Sequence, residues 1–496
     1  MSSSRPSELR LYSTLTRTVE AVEPLRPGEL SLYVCGMTVY DDAHIGHAKV
    51  FTVTDAFVRY LRHRGWVVRY VRNFTDVDDK IIRRAEERGE DAAALAQRYI
   101  EHFHRDTDAL GLLRPDHEPR VSTSIESIVG VIQRLVDKGH AYAAEGSVWF
   151  SVPSHADYGR LSGQKVDELR SPDADHGKQH SADFALWKAH KPGEPSWPSP
   201  WGPGRPGWHI ECSAMCWETL GETIDIHGGG LDLVFPHHEN EVAQSECAHG
   251  QTFARYWMHN GLLNMASGQK MGKSLGNAIG IEAILEQYPA EALRLYYLQC
   301  HYRSPLPWDP DTALPEALGM LARLYEAREA AEAMGGEEEP DNVARSLGAE
   351  AMQCLELGRG FRDALYAALD DDFNTAAALG HAFELARAVN RVSNYKKAKR
   401  RAGPVVAPAL EGFALLAEAL GLMQQSTEAF HREVRAKWLP KLGLTEDEVA
   451  AKLRERAEAR IDRDWARADA IRDELEQARI AVMDTAEGGS EWRIRL

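Results

Sequence analysis

The amino-acid sequence predicts an α/β protein: a Rossmann-like, doubly wound parallel-sheet domain with an inserted connective domain, then an α-helical bundle and a small C-terminal α+β module. Three observations predict this. Apolar, strand-like runs at 29–35 and 67–74 flank a segment whose Val53, Phe57 and Leu61 recur at i, i+4 and i+8. Short strand-like runs and then six prolines between Pro192 and Pro206 interrupt the pattern. After Asp309 the periodicity turns helical, with Leu314, Leu318, Leu321 and Tyr325 as one stripe.

The first two strands and the helix between them form a βαβ unit, whose parallel strands need a crossover. In such a sheet ligands bind beyond the strands' carboxyl ends. His44 and His47 fall in that turn, between the first strand and the helix. From about Asp116 the texture changes, with a helical stretch at 122–138 and a strand-like run at 146–152. The proline-rich segment cannot continue a helix or a central strand, so the region reads as an insertion, and the first domain resumes near Trp208. A glycine-containing break at 335–340 divides the helical region, which runs to about Gln425, and Gly403, Pro404 and Pro408 should interrupt it. The charged tail predicts a helix at 464–477 and a strand at 480–483.

A chain of 496 residues exceeds what one hydrophobic core usually supports, so two to four domains are expected. Its 58 basic and 75 acidic side chains give a net charge of −17, which excludes a polyanion held against the whole surface and leaves only local nucleic-acid contacts. The most concentrated basic run, Lys396, Lys397, Lys399, Arg400 and Arg401 beside Tyr395, reads equally as a solvated helix end. Six dispersed cysteines form no disulfide framework. The polar first ten residues lack a secretory signal, and no window approaches about 18 apolar residues, so a cytoplasmic protein without membrane contact is expected.

The chemistry begins with His44-Ile45-Gly46-His47 at a helix start, where exposed backbone N–H groups favour phosphate and both rings can face it. Alone, the pair is equally a cap. Lys270-Met271-Gly272-Lys273-Ser274, in a glycine- and serine-rich loop, adds two point charges suited to a triphosphate. Asp225-Ile226-His227-Gly228-Gly229-Gly230-Leu231-Asp232 adds glycines that permit close backbone approach and carboxylates suited to a ribose. The three strings in this order resemble the HIGH and KMSKS strings of class I aminoacyl-tRNA synthetases, which form adenylates on a Rossmann-like domain. Gly272 departs from the usual serine and loosens the loop, while Lys270 and Lys273 keep its charges.

His237 and Glu241 are four apart, on one face of a helix that begins at Pro236. Val242 stands where a protease-type HExxH needs histidine. Cys212 and Cys35 complete a set of two thiolates, an imidazole and a carboxylate, which zinc accepts. Two other readings stay open at this point. Cys35 would serve as a small buried hydrophobe, and Cys212 with Cys216 would make a different site with Cys247 or His249.

Over nearly its whole length the sequence resembles the cysteinyl-tRNA synthetase family. The strings that carry the likeness are Tyr33-Val34-Cys35-Gly36-Met37-Thr38-Val39-Tyr40, Asn73-Phe74-Thr75-Asp76-Val77-Asp78-Asp79-Lys80, Gly207-Trp208-His209-Ile210-Glu211-Cys212 and Phe235-Pro236-His237-His238-Glu239-Asn240-Glu241. Asp370-Asp371-Asp372-Phe373-Asn374 and the Asp464-Trp465 tail look like that family's helical and anticodon-binding parts. The resemblance implies one Zn²⁺ on Cys35, Cys212, His237 and Glu241, with Gly36, Thr38, Thr75 and Trp208 shaping a cysteine pocket. It implies Mg²⁺ with ATP, ATP contacts from His44, His47, Gly229, Asp232 and Lys273, and catalytic roles for His44, His47, Lys270 and Lys273. His209, His227 and His238 would surround these groups. The implied domains are a catalytic domain at 1–118 and 207–262 split by a connective insertion at 119–206, a KMGKS-loop and stem-contact region at 263–310, a tRNA-binding bundle at 311–425, and an anticodon-binding module at 426–496. The expected partners are tRNA(Cys), ATP and L-cysteine, and the expected state is a monomer.

Physical chemistry supports a metal in such a pocket. Excluding serine by about 10⁴ requires roughly 5.5 kcal/mol, whereas pocket shape discriminates a small change by only ~1–3 kcal/mol. A sulfur-preferring ion can supply the difference. Two rival functions share some of these residues: a ligase joining cysteine to an amino sugar, which has no need of the C-terminal half, and a binding protein without catalysis, which has no need of His44, His47, Lys270 and Lys273.

Overall fold

The computed structural model describes residues 9–166, 177–265, 278–309, 311–484 and 489–496. The chain forms two compact units, one of residues 1–280, 300–307 and 367–375, the other of residues 281–299, 308–366 and 376–496.

The first unit is built on a four-stranded parallel sheet. Its strands are β1 (Glu29–Val34), β2 (Val67–Arg72), β3 (Ile224–Gly230) and β4 (Ala254–Asn260), in the order β4-β3-β1-β2. Chain order reverses at β1, so the crevice between the ends of β1 and β3 is the topological switch point. Helix α1 (Ile45–His63) crosses from β1 to β2, and Val53, Phe57 and Leu61 are all buried as their spacing predicts. Lys49 is buried on the same helix, donating to the carbonyl oxygens of Gly261, Tyr302 (3.3 Å) and Ser304 (3.4 Å). Burial lowers its pKa to about 8.

The insertion carries an antiparallel sheet of Ala141–Ala144, Ser147–Phe150, Phe184–Ala189 and Gly204–Pro206, in that order, beside the helix Ile125–Asp137. The proline-rich segment does supply a strand, but only at the sheet edge, where a missing N–H goes unnoticed. The acidic string 370–374 ends the helix Ala349–Asp370 and packs in the first unit. Asp372 accepts bonds from the Tyr12 N–H (2.9 Å), the Tyr302 hydroxyl (2.8 Å) and Arg303 Nε (2.8 Å), and Phe373 packs edge-on against Phe57.

The second unit is mainly helical. Leu314, Leu318, Leu321 and Tyr325 form the buried stripe of Ala313–Glu332, and the break at 335–340 precedes the helix Pro340–Leu347. Gly403, Pro404 and Pro408 do not interrupt the bundle: Gly403 and Pro404 open the helix Gly403–Leu420, Pro404 in its first turn, where no N–H is required, and Pro408 lies inside the same helix. That helix is, contrary to the sequence expectation, long and apolar enough by composition to cross a membrane; half of it, including Val405, Val406, Phe413 and Leu416, is buried, and it packs with Ala313–Glu332 and Pro340–Leu347. Within the basic run, Arg401 pairs with Glu338 (2.7 Å) and the Tyr395 hydroxyl donates to Glu350 (2.8 Å). The tail folds as the helices Glu446–Ile461 and Trp465–Gln477 with the hairpin Ile480–Asp484 and Ser490–Ile494. Phe430, just past the expected boundary at 425, stacks on Tyr325 at 4.2 Å.

Candidate active site

His44 has extended backbone and caps α1: its Nδ1 accepts the N–H groups of Gly46 (3.1 Å) and His47 (3.3 Å), while His47 Nδ1 accepts the His44 N–H (3.3 Å). The rings stack at 3.7 Å. Because each Nδ1 accepts, each neutral ring carries its proton on Nε2. The Ile45 N–H donates to the Ile279 carbonyl (2.9 Å). The first-turn amides, expected to receive phosphate, are therefore already engaged within the chain. A Cβ on Gly46 would lie 2.9 Å from the His44 ring, so glycine is required there. Lys270, Gly272 and Lys273 lie outside the described residues. The chain re-enters at 278–280, where Ile279 and Gly280 pair with the start of α1.

At the end of β3 the two candidate ribose carboxylates separate. Asp225 is structural: it accepts from the Leu25 N–H (2.6 Å), the Ser31 N–H (2.8 Å) and the Ser31 hydroxyl (2.7 Å). Asp232 and Gly230 line the cavity described below, whereas the space a Cβ on Gly229 would need is taken by the His238 ring at 2.8 Å.

Four elements bring the metal-type ligands together. Cys35 follows β1, Cys212 lies in α2 (Trp208–Leu220), His237 lies in the turn Val234–His238, and Glu241 lies in the first turn of α3 (Glu239–His249). Cys35 Sγ lies 3.7 Å from Cys212 Sγ and 3.4 Å from Glu241 Oε1, and His237 Nε2 lies 3.0 Å from the same oxygen. The four ligand atoms lie within 4.8 Å of one another, all buried. Burial raises the Cys35 thiol and the Glu241 carboxyl well above their usual ranges and holds His237 far below its own. The bond from Cys35 lowers Cys212, but burial raises it on balance. So close and buried a set repels accumulated negative charge, and a divalent ion removes that penalty by taking the place of the protons. The donors fit zinc in number, type and proximity.

The surrounding histidines orient this set. His209 Nδ1 lies 3.0 Å from His237 Nδ1, His227 Nε2 lies 2.9 Å from Glu241 Oε2, and Trp208 stacks on His237 at 4.3 Å. His238 Nδ1 contacts His259 Nε2 at 2.7 Å, and His259 Nδ1 contacts the Thr14 hydroxyl at 2.7 Å. Sequence reasoning missed His259 and Thr14, which stand in no recognisable string. Cys35 and Glu241 also form a second possible ligand set with His227 and His238. Cys216, Cys247 and His249 join no metal-type group among the described residues; Cys216 is core, and His249 faces Arg134 and Glu222.

A cavity of about 330 Å³ is lined both by Cys35, Cys212 and His237 and by His44, His47 and Asp232. Gly36, Thr38, Thr75 and Trp208 all line it. Thr38 and Thr75 are bridged as adjacent chains, and a Cβ on Gly36 would lie 1.7 Å from the Asn73 carbonyl oxygen.

Residues 21–318 match the family described as tRNA synthetases class I (C) catalytic domain, residues 364–424 the DALR domain, and residues 443–493 the cysteinyl-tRNA ligase anticodon binding domain. The chain is 49% identical to a cysteine–tRNA ligase of Alkalilimnicola ehrlichii, over 98% of this chain and 99% of that protein. It is 46% identical to one of Geobacter metallireducens, over 98% of this chain and 100% of that protein. Among solved structures, the Mycobacterium tuberculosis methionyl-tRNA synthetase in complex with methionyl-adenylate has the same fold, with a TM-score of 0.62 at 16% identity over 85% of this chain and 95% of that one.

Proposed function

The chain belongs to the cysteine–tRNA ligase family of class I aminoacyl-tRNA synthetases, and from that premise we propose that it activates L-cysteine with Mg²⁺ and ATP and transfers it to the 3′ end of tRNA(Cys), selecting cysteine with a zinc ion. One observation carries the reading: Cys35, Cys212, His237 and Glu241 converge, and the first three line the same cavity as His44 and His47. A zinc ion bound by those four residues would accept the substrate's sulfur as a ligand, which the hydroxyl of serine matches poorly.

The remaining work falls to the chain itself. Gly36, Thr38, Thr75 and Trp208 close around the amino acid and hold its carboxylate towards the two histidines. The Nε2–H groups of His44 and His47 stabilise the charge that builds on the α-phosphate as the carboxylate attacks. Asp232 receives the ribose, and Lys270 and Lys273 neutralise the departing pyrophosphate. In the second step a terminal ribose hydroxyl of the tRNA attacks the adenylate carbonyl, giving cysteinyl-tRNA and AMP. Residues 311–425 hold the tRNA and 426–496 read its anticodon, with the enzyme acting as a monomer. An amino-sugar acceptor would have no use for residues 443–493, which match an anticodon-binding family.

The test is amino-acid-dependent ATP–pyrophosphate exchange and charging of total tRNA, with each amino acid in turn. Cysteine alone should support both. Exchange with another amino acid of equal efficiency, or charging of no tRNA, would refute the proposal.

A further inference from the structure

Lys49 stands two residues after His47 in α1 and takes no part in the chemistry assigned above. It is 1% exposed, and its ammonium donates to the carbonyl oxygens of Gly261, Tyr302 (3.3 Å) and Ser304 (3.4 Å). An ammonium has three N–H donors, so three carbonyl groups satisfy it in full. A buried charge is costly unless its donors are met. An apolar side chain would fill the same place in α1 without that cost, so the cation has a use outside its own helix.

That use lies where two chain segments cross. The Gly261 N–H donates to the Tyr302 carbonyl (2.8 Å), and the Leu306 N–H to the Leu262 carbonyl (2.9 Å). The segments approach so closely that a Cβ on Gly261 would lie 2.2 Å from the Ser304 carbonyl oxygen. Asp372 holds the second segment in turn, accepting from the Tyr302 hydroxyl (2.8 Å) and Arg303 Nε (2.8 Å). Gly261, Leu262 and Leu263 line the same cavity as His44 and His47. Lys49 therefore bonds the helix that the histidines begin directly to another wall of their cavity.

We infer that Lys49 is a positioning residue for adenylate formation: its ammonium ties the Gly261–Leu263 wall and the Tyr302–Ser304 segment to α1, and so sets that wall's distance from the His44 and His47 rings. The inference rests on the adenylate chemistry proposed above. A misplacement of about 1 Å costs on the order of a hundredfold in rate when it spoils alignment at the reacting atoms. The tie depends on charge, because a neutral amine keeps only two N–H donors, each weaker. Burial lowers the pKa of Lys49 to about 8, and Cys300 acts against that shift. The other charged groups of the crossing segment are engaged elsewhere: His301 and Arg303 face Asp372. His47, on the same helix, is bonded to His44.

The rate constant of adenylate formation in single turnovers, at saturating cysteine and ATP, is the quantity to measure. A merely structural role would lower the amplitude, which counts folded sites, and leave the constant unchanged. At pH 7.5 Lys49→Met should lower the constant roughly thirtyfold and change the dissociation constant of cysteine by less than about threefold, whereas Lys49→Arg should keep the constant within about threefold. Arginine stays charged where lysine does not, so between pH 7.5 and 9.5 the constant of the unmodified enzyme should fall about tenfold relative to that of Lys49→Arg. Titration of the substrates cancels from that ratio. A folded Lys49→Met with a rate constant within about threefold of normal, or a ratio that does not change with pH, would overturn the inference. If Lys49→Met does not fold, the pH comparison decides alone. Failure of the unmodified enzyme to form any cysteine-dependent adenylate would instead sink the underlying functional reading.

Discussion

His44 and His47 cap one another: each ring's Nδ1 accepts a backbone N–H of the other residue, and the rings stack at 3.7 Å. The same contacts that start α1 thereby fix which nitrogen of each ring is protonated. Fold and chemistry can be separated by replacement. His44→Asn keeps a good cap, so thermal stability should change by less than about 1 kcal/mol, whereas His44→Ala should lose ~1 kcal/mol. Both should lose roughly 10²–10³ in the rate of adenylate formation, since both lack the ring N–H. A His44→Asn enzyme with a normal rate would show that capping is the residue's whole role.

Acid should act through the histidines around the ligand set. His259 is buried, and burial pushes its pKa down to about 3. Below about pH 6.5 the unfolded chain takes up a proton there that the folded chain refuses until about pH 3. Stability should therefore fall as the pH drops through that window, by up to about 1.4 kcal/mol per pH unit for the site. His259→Gln should remove one proton from the uptake on unfolding at pH 4.5. Calorimetry in buffers of different ionisation enthalpy would measure it, and unchanged uptake would contradict the assignment.

Lys273 precedes Ile279 and Gly280 in the chain, and those two residues are bonded to the start of α1. Lys273→Ala should slow adenylate formation at least a hundredfold in pre-steady-state measurements while changing the dissociation constant of cysteine by less than about threefold. An equal loss in cysteine affinity would place the residue at the amino acid instead.

Deleting residues after Gln425 should spare cysteine-dependent exchange and reduce tRNA charging at least a hundredfold. The loss of Phe430 exposes the face of Tyr325, so stability of the helical unit should be measured alongside. Unchanged charging would remove the tail from tRNA recognition.

Much of this was legible in the sequence because periodicity reports burial: Val53, Phe57 and Leu61 announced α1, and Leu314 to Tyr325 the long helix of the second unit. The ligand set was legible because its four residues stand in distinctive strings. What the sequence could not disclose were choices among chemically equivalent groups. Asp225 and Asp232 look alike in the string, but Ser31 and Leu25 claim the first. The amides at the start of α1 looked available to phosphate until the His44 ring and Ile279 carbonyl were seen to take them. No string in the sequence marks Lys49 as buried, yet its ammonium donates to the carbonyl groups of Gly261, Tyr302 and Ser304. Pro408 reads as a break, yet the helix Gly403–Leu420 runs through it.

The central claim is that cysteine is chosen by a metal on Cys35, Cys212, His237 and Glu241. The most direct measurement is zinc content together with cysteine- and serine-dependent ATP–pyrophosphate exchange on the same samples of unmodified and Cys212→Ser enzyme. The account predicts about one zinc per unmodified chain, exchange with cysteine at least ~10⁴-fold over serine, and loss of both metal and cysteine-dependent exchange in Cys212→Ser. Full cysteine-dependent exchange by a zinc-free Cys212→Ser enzyme would contradict it.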